Sequence, residues 1–201
     1  MRTEEEIPMP YTAEHKERTR ARIVESARKL FNRHGFEQVS IETIMSEAGL
    51  TRGGFYNHFE SKDDLYAAAV ASFTTCNPFR KEVAKAPVTD QRGMARRLVN
   101  LYLSDEVLED IENHCPLYAL PGDVARAGLL PQRAYTDLIR NLTRIYEYAL
   151  KDFSDGAQRA QAIVALCVGG MVLARTTDDP ALRASLRAAA RQQALTLLGT
   201  N

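Results

Sequence analysis

The stretch TRGGFYNHFESK, residues 51–62, decides how the chain is read. Two adjacent glycines, Gly53 and Gly54, precede Phe55, Tyr56 and Phe59 in otherwise polar surroundings. In a helix, two glycines cost roughly 2 kcal/mol against alanine. In a loop, two phenylalanines have nowhere to hide. A helix over 52–59, at about 100° per residue, puts Phe55 and Phe59 on one face. Gly53 and Asn57, flanked by Gly54 and Tyr56, then lie opposite. The glycines would clear the leading edge of a short helix whose phenylalanines fasten it down. Another surface could then reach the unpaired N–H groups at the helix start, where an anion such as phosphate is favoured. A glycine-rich turn with an aromatic clamp accounts for the same spacing.

Working outward, Ile23, Ala27, Leu30 and Phe31 recur at helical spacing from near Glu14, and Gly35 is placed to end that helix. Ser40 is an N-cap for a second helix with Ile41, Ile44, Met45 and Ala48 along one stripe, and Gly49 ends it. Thr51 is a candidate cap for the short third helix. Ser61, with Asp63 and Asp64 behind it, opens a fourth, lined by Leu65, Ala68, Ala69, Ser72 and Phe73. Two short helices separated by AGLT have the shape of a helix-turn-helix. From Lys16 to Arg33 stand seven basic residues (Lys16, Arg18, Arg20, Arg22, Arg28, Lys29, Arg33) against Glu17 and Glu25, a local balance of 7 − 2 = +5. Such a run is either a solvated face or a footprint for phosphates.

Residues 18–66 resemble the DNA-binding domain of the TetR/AcrR family of bacterial repressors. The likeness runs through RIVESARKLFNRHGFEQVSIETIMSEAGLTRGGFYNHFESKDDLY, including HGF, the Ser40 start, AGLTRGGFYNHF and SKDDL. The resemblance implies that the helix at 52–58 enters the major groove of a double-stranded DNA operator, with Thr51, Arg52 and Gly53 leading. Tyr56 and Lys62 would hold phosphates, and Asn57 and His58 would flank the contact. Ser40 and Thr43 would touch the backbone, and Arg18, Arg20 and Arg22 would approach the adjacent strand or minor groove. Most such contacts position the protein and few read bases.

The expected fold is all-α: an N-terminal three-helix helix-turn-helix DNA-binding domain (14–66) behind a loose arm (1–13), joined to a larger helical ligand-binding and dimerisation domain (67–201). Beyond residue 66 the resemblance is one of length, helical content and plan only. Helices are expected around Met94–Tyr102, from Pro131 to about Asp152, and near 156–176 and 180–198, with short pieces between His114 and Pro131. Residues 162–174 are apolar nearly all round, as a doubly packed helix would be. Ala165, Gly169 and Gly170 offer small contact surfaces there. Leu182, Leu186, Ala189, Gln193 and Leu197 line the last helix, and a four-helix homodimer interface would use both stripes. A buried core helix explains the apolar run equally. An effector pocket is expected among the middle helices. Phe73, Met94, Leu98, Tyr102, Cys115, Tyr118, Tyr146 and Met171 are its candidate lining, suited to a mostly apolar or aromatic small molecule. Cys115 follows His114, and an imidazolium there would lower a thiol pKa; a redox- or electrophile-sensing repressor is the alternative to a buried structural cysteine.

The 201 residues are 45% hydrophobic and 26% charged, which excludes wholesale disorder, and 26 basic residues balance 26 acidic ones, so net charge names no partner. Three distant cysteines, Cys76, Cys115 and Cys167, suggest neither zinc nor a disulfide framework. The N-terminus has no apolar signal region, and the run 162–174 is shorter than the ~20 residues that span a bilayer, so a cytoplasmic protein without a membrane role is expected. Four scattered histidines and no HExxH, GxSxG or P-loop spacing leave no catalytic residue, metal site or cofactor to assign. A helical interaction protein without DNA binding remains the rival to a regulator.

Overall fold

The computed structural model describes residues 13–76, 79 and 90–199, so most of the expected arm at 1–13 lies outside the described residues. Every regular element among them is helical. Helix α1, Ala13–Gln38, buries Ile23, Val24, Ala27, Leu30 and Phe31. It breaks where expected, at Gly35, whose φ of 77° lies in the region only glycine enters cheaply. Helix α2, Ile41–Glu47, starts on Ser40, whose Oγ accepts the Thr43 N–H at 3.0 Å, and turns out through Gly49 at φ 65°. A short 3-10 helix follows, Arg52–Asn57, and then α3, Lys62–Cys76, where Ser61 Oγ accepts the Asp64 N–H at 3.1 Å. Phe31, Phe36 and Tyr66 close the small core, Tyr66 stacking on Phe36 at 4.6 Å and meeting the Phe31 ring edge-on at 5.0 Å.

The second part begins with α4, Gln91–Tyr102, capped by Asp90, which accepts the Gly93 N–H at 2.8 Å. Helix α5 (Asp105–Glu109), a 3-10 turn (Ile111–Asn113), α6 (Pro116–Ala119) and α7 (Pro121–Arg126) are the expected short pieces. Pro116 and Pro121 open α6 and α7, where their missing N–H has no partner to lose. Three long helices finish the chain: α8 (Leu129–Ala149), α9 (Gly156–Thr176) and α10 (Pro180–Leu197). Helix α8 starts two residues before the expected Pro131, which sits in a first turn that tolerates it.

Helix α9 corrects one sequence expectation. It is 21 residues long with a mean hydropathy of 1.4 over its most apolar window, enough by length and composition to cross a membrane, although its uninterrupted apolar run is shorter. Its apolar sides have neighbours within the protein: it packs between α8 and α10, burying Ile163, Val164, Cys167, Met171 and Ala174. The domain boundary expected at 66/67 falls inside α3, which packs against both α1 and α8.

Candidate functional site

The segment expected to be an α-helix is a 3-10 helix. Gly54 N–H returns to Thr51 O at 3.1 Å and His58 N–H to Phe55 O at 2.9 Å, both i→i+3. With three residues per turn, Phe55 points inward, while Arg52, Gly53, Tyr56 and Asn57 are exposed. Phe59 lies beyond the helix, its N–H closing on Phe55 O at 3.1 Å, and both rings are buried. Gly53 opens outward as expected: a Cβ there would meet nothing within 4 Å. Gly54 does not share that edge. A Cβ on it would lie 3.7 Å from Met45 Cε, facing α2. Neither glycine has a positive φ, so backbone conformation alone does not require them. Thr51 makes no capping bond with its side chain, contrary to expectation, and its hydroxyl stays exposed.

Ser40 and Thr43 sit exposed at the start of α2, their hydroxyls 2.8 Å apart. Arg18, Arg20 and Arg22 are exposed on α1. The Arg20 guanidinium lies 4.6 Å over the Phe59 ring, tying α1 to the phenylalanine that anchors the 3-10 helix. Lys16 and Thr19 of α1 face Thr51, Gly54, Asn57 and His58 across an open cleft of about 570 Å³. Burial, with Lys16 and Arg20 nearby, holds His58 below its ordinary pKa, favouring the neutral ring.

Two expectations about charge are corrected. Lys62 does not project freely towards a phosphate. Its Nζ donates to Phe36 O at 2.5 Å and lies 4.1 Å from the centre of the Phe36 ring, fixing the chain that leaves the α1 kink. Burial lowers its pKa against the opposing pull of Glu37, Asp63 and Asp123. The basic run also divides. Arg28 is buried, paired with Glu25 at 2.8 Å, and donates to Glu112 O and Asn113 Oδ1. Lys29 and Arg33 pair with Glu112. These three cations lie further along α1 and hold the second part of the chain against it. Lys16, Arg18, Arg22 and Arg52 remain exposed, with no ion pair among the described residues.

Among the middle helices lies a largely apolar cavity of about 250 Å³. Phe73, Thr74, Phe79, Leu98, Tyr102, Cys115, Leu117, Leu138, Asn141, Leu142 and Ile145 line it. Phe73, Leu98, Tyr102 and Cys115 were expected there. Met94, Tyr118, Tyr146 and Met171 are not among its lining. Tyr118, Tyr146 and Met171 are instead packed in the core, Tyr118 edge-on to Tyr102 at 5.6 Å. The missed α8 contribution had a signal: 138, 141, 142 and 145 follow i, i+3, i+4, i+7 spacing, with one amide in an apolar stripe.

Cys115 lacks the activation the sensing alternative needs. Its thiol is buried, which pushes its pKa up to about 12. The adjacent His114 is no imidazolium: Nε2 donates to Leu108 O at 2.9 Å, Nδ1 is buried without a partner, and burial lowers the pKa. Sequence adjacency brought the two residues together, but the tertiary structure buries both.

The expected dimer stripes are part exposed and part internal. Ala165, Leu182, Ala189 and Gln193 are exposed, Leu186 and Leu197 half-buried, and Gly169 has open space beside it. Gly170 is corrected: a Cβ there would lie 2.8 Å from Ala190 Cβ, so it is the contact point between α9 and α10 of the same chain.

A two-helix turn seated on α1, with an exposed basic and amide-bearing edge, defines the helix-turn-helix class of DNA-binding proteins. Residues 23–69 match the family described as bacterial regulatory proteins, tetR family. That match covers 47 of the 201 residues, the helix-turn-helix and the helices that flank it. The chain is 38% identical over 55 residues to the uncharacterised HTH-type transcriptional regulator YfiR of Bacillus subtilis, covering 27% of each chain. It is 30% identical over 99 residues to the HTH-type transcriptional regulator TtgR of Pseudomonas putida, covering 49% of this chain and 47% of the other. The match thus spans about a quarter to a half of the length of these curated relatives. Its fold is similar to reduced NemR from E. coli, with a TM-score of 0.76, 16% identity, and coverage of 92% of this chain and 100% of that one.

Proposed function

We propose that this protein is a sequence-specific DNA-binding transcriptional regulator, a cytoplasmic homodimeric repressor released from a palindromic operator by a small-molecule effector. The observation that carries this reading is the division of the 3-10 helix. Phe55 and Phe59 are buried, while Arg52, Gly53, Tyr56 and Asn57 form an open outer edge beside Ser40, Thr43 and the cations of α1. Arg52 supplies a fork for a guanine edge or a phosphate, and Gly53 leaves the backbone approachable. Thr51 and His58 flank that edge. Lys16, Arg18, Arg20, Arg22 and Arg52, without ion pairs among the described residues and doubled in a dimer, give a salt-sensitive attraction to phosphates despite zero net charge.

Dimerisation uses the outer faces of α9 and α10, where Leu173 and Leu182 expose 52% and 46% of their surface beside Ala165, Gly169, Ala189 and Gln193. The apolar cavity takes the effector. Selection of bound fragments from random duplex DNA tests the reading. A palindromic motif, with affinity that falls as salt rises and collapses in the Arg52→Ala, Tyr56→Ala double variant, is expected. A helical interaction protein would select no sequence and would be indifferent to both changes.

A further inference from the structure

The cavity sets narrow terms for what enters it. Its volume is about 250 Å³. An apolar cavity of about 150 Å³ admits benzene, whereas sites for drug-sized ligands span roughly 300–1,000 Å³. One substituted ring fits within that volume. The wall is aromatic where Phe79 stacks on Tyr102 at 5.4 Å and Phe73 meets Phe79 edge-on at 6.0 Å.

None of the described lining residues carries a charge. Cys115 and Tyr102, the acidic candidates, stay protonated because burial raises both pKa values, the thiol to about 12. An ionised ligand would lose its hydration and gain no counter-charge. Asn141 differs from its neighbours. It stands between Leu138 and Leu142 on the cavity stripe of α8, and its amide makes no hydrogen bond to any described residue. That leaves its carbonyl and NH₂ open on the α8 side of a mostly apolar wall, whose other polar groups are the Thr74 and Tyr102 hydroxyls and the Cys115 thiol.

We propose that the cavity takes an uncharged, single-ring aromatic molecule with one hydrogen-bonding substituent, which Asn141 reads. The inference rests on the cavity being the effector site. Three probes of one shape separate its elements: benzyl alcohol, toluene and benzoate, titrated calorimetrically into the full chain without DNA. Benzyl alcohol binds at least threefold tighter than toluene, and benzoate at least tenfold weaker than benzyl alcohol. In Asn141→Leu the preference for benzyl alcohol over toluene disappears while toluene still binds. Leu98→Phe fills the space and abolishes binding of all three; should it unfold, Leu142→Phe does the same from the opposite wall. Benzoate binding tightest, no probe binding at all, an unchanged preference in Asn141→Leu, or full binding in a folded cavity-filled variant overturns the proposal. Operator affinity is measured separately. If a different compound releases the operator, the ligand class fails and the regulator reading stands. If benzyl alcohol binds as described but neither it nor any cavity-filling variant alters operator affinity, the effector reading fails and the ligand class stands.

Discussion

The Arg28 guanidinium donates to the main-chain carbonyl of Glu112 at 2.5 Å, across 84 residues of sequence. Asn32 joins it, its Nδ2 donating to Glu112 O and His114 O, both at 3.0 Å. The next residue, Cys115, lines the cavity. One short segment therefore touches the cavity at one end and the first helix of the helix-turn-helix at the other. Arg28→Met is expected to lower unfolding free energy by about 2 kcal/mol, the worth of hydrogen bonds to a charged group, in urea denaturation. Asn32→Ala should leave cavity binding intact and shrink the effect of ligand on DNA affinity several-fold, measured as affinity with and without ligand.

Gly53 and Gly54 should part company under mutation. Gly53→Ala has open space and an ordinary φ, so it should stabilise the fold by about 0.4–1 kcal/mol through the unfolded chain. Gly53→Leu should keep the melting temperature within a few degrees and lose duplex affinity at least tenfold. Unfolding of Gly53→Leu would mean that this position serves the core.

Gly169 and Gly170 give a parallel test in α9. Gly170→Ala forces a methyl against Ala190 and should destabilise by about 1–3 kcal/mol. Gly169→Ala meets nothing within its own chain and should gain the protomer up to about 1 kcal/mol from helix propensity. Thermal denaturation of the pair at one protein concentration reads the contrast.

Stability should fall as the solution is acidified below about pH 6.5. Folding lowers the pKa values of His114 and His58 from 6.5. The unfolded chain therefore takes up protons first, and native stability is full above that value and lost as pH falls through the folded values. For His114 the cause is burial, with Arg175 adding and Asp110 and the Leu108 carbonyl opposing; Nδ1 has no acceptor waiting for a proton. His114→Gln, which still can donate to Leu108 O, should flatten the dependence below pH 6.5 without removing the His58 share. Glu25, held low by Arg28, acts separately, below pH 4.5.

Cys115 should be a slow thiol. Raising its pKa from 9 to about 12 cuts the thiolate fraction roughly a thousandfold before access is considered. Alkylation by iodoacetamide at pH 7.4, followed by peptide mass spectrometry, should mark Cys115 only on unfolding. Rapid native labelling, with operator release that Cys115→Ser abolishes, would instead revive the sensing mechanism.

What the sequence by itself determined is local. Ser40, Gly49, Gly35 and the Phe55–Phe59 pair announce the helix-turn-helix because caps, left-handed turns and helical faces act within a few residues of the chain. Even there, apolar spacing did not show that Gly54 faces Met45 of α2. The tertiary structure alone decided how the basic run is shared. Arg28, Lys29 and Arg33 look like Arg18 and Arg22 in sequence, yet Glu112 and Asn113 claim the first three. It also decided that Asn141 and not Tyr146 faces the cavity, and that Gly170 seals two helices of one chain. These outcomes depend on how helices distant in sequence settle against one another, and a buried face looks the same in sequence whether its neighbour is a core, a cavity or a second protomer.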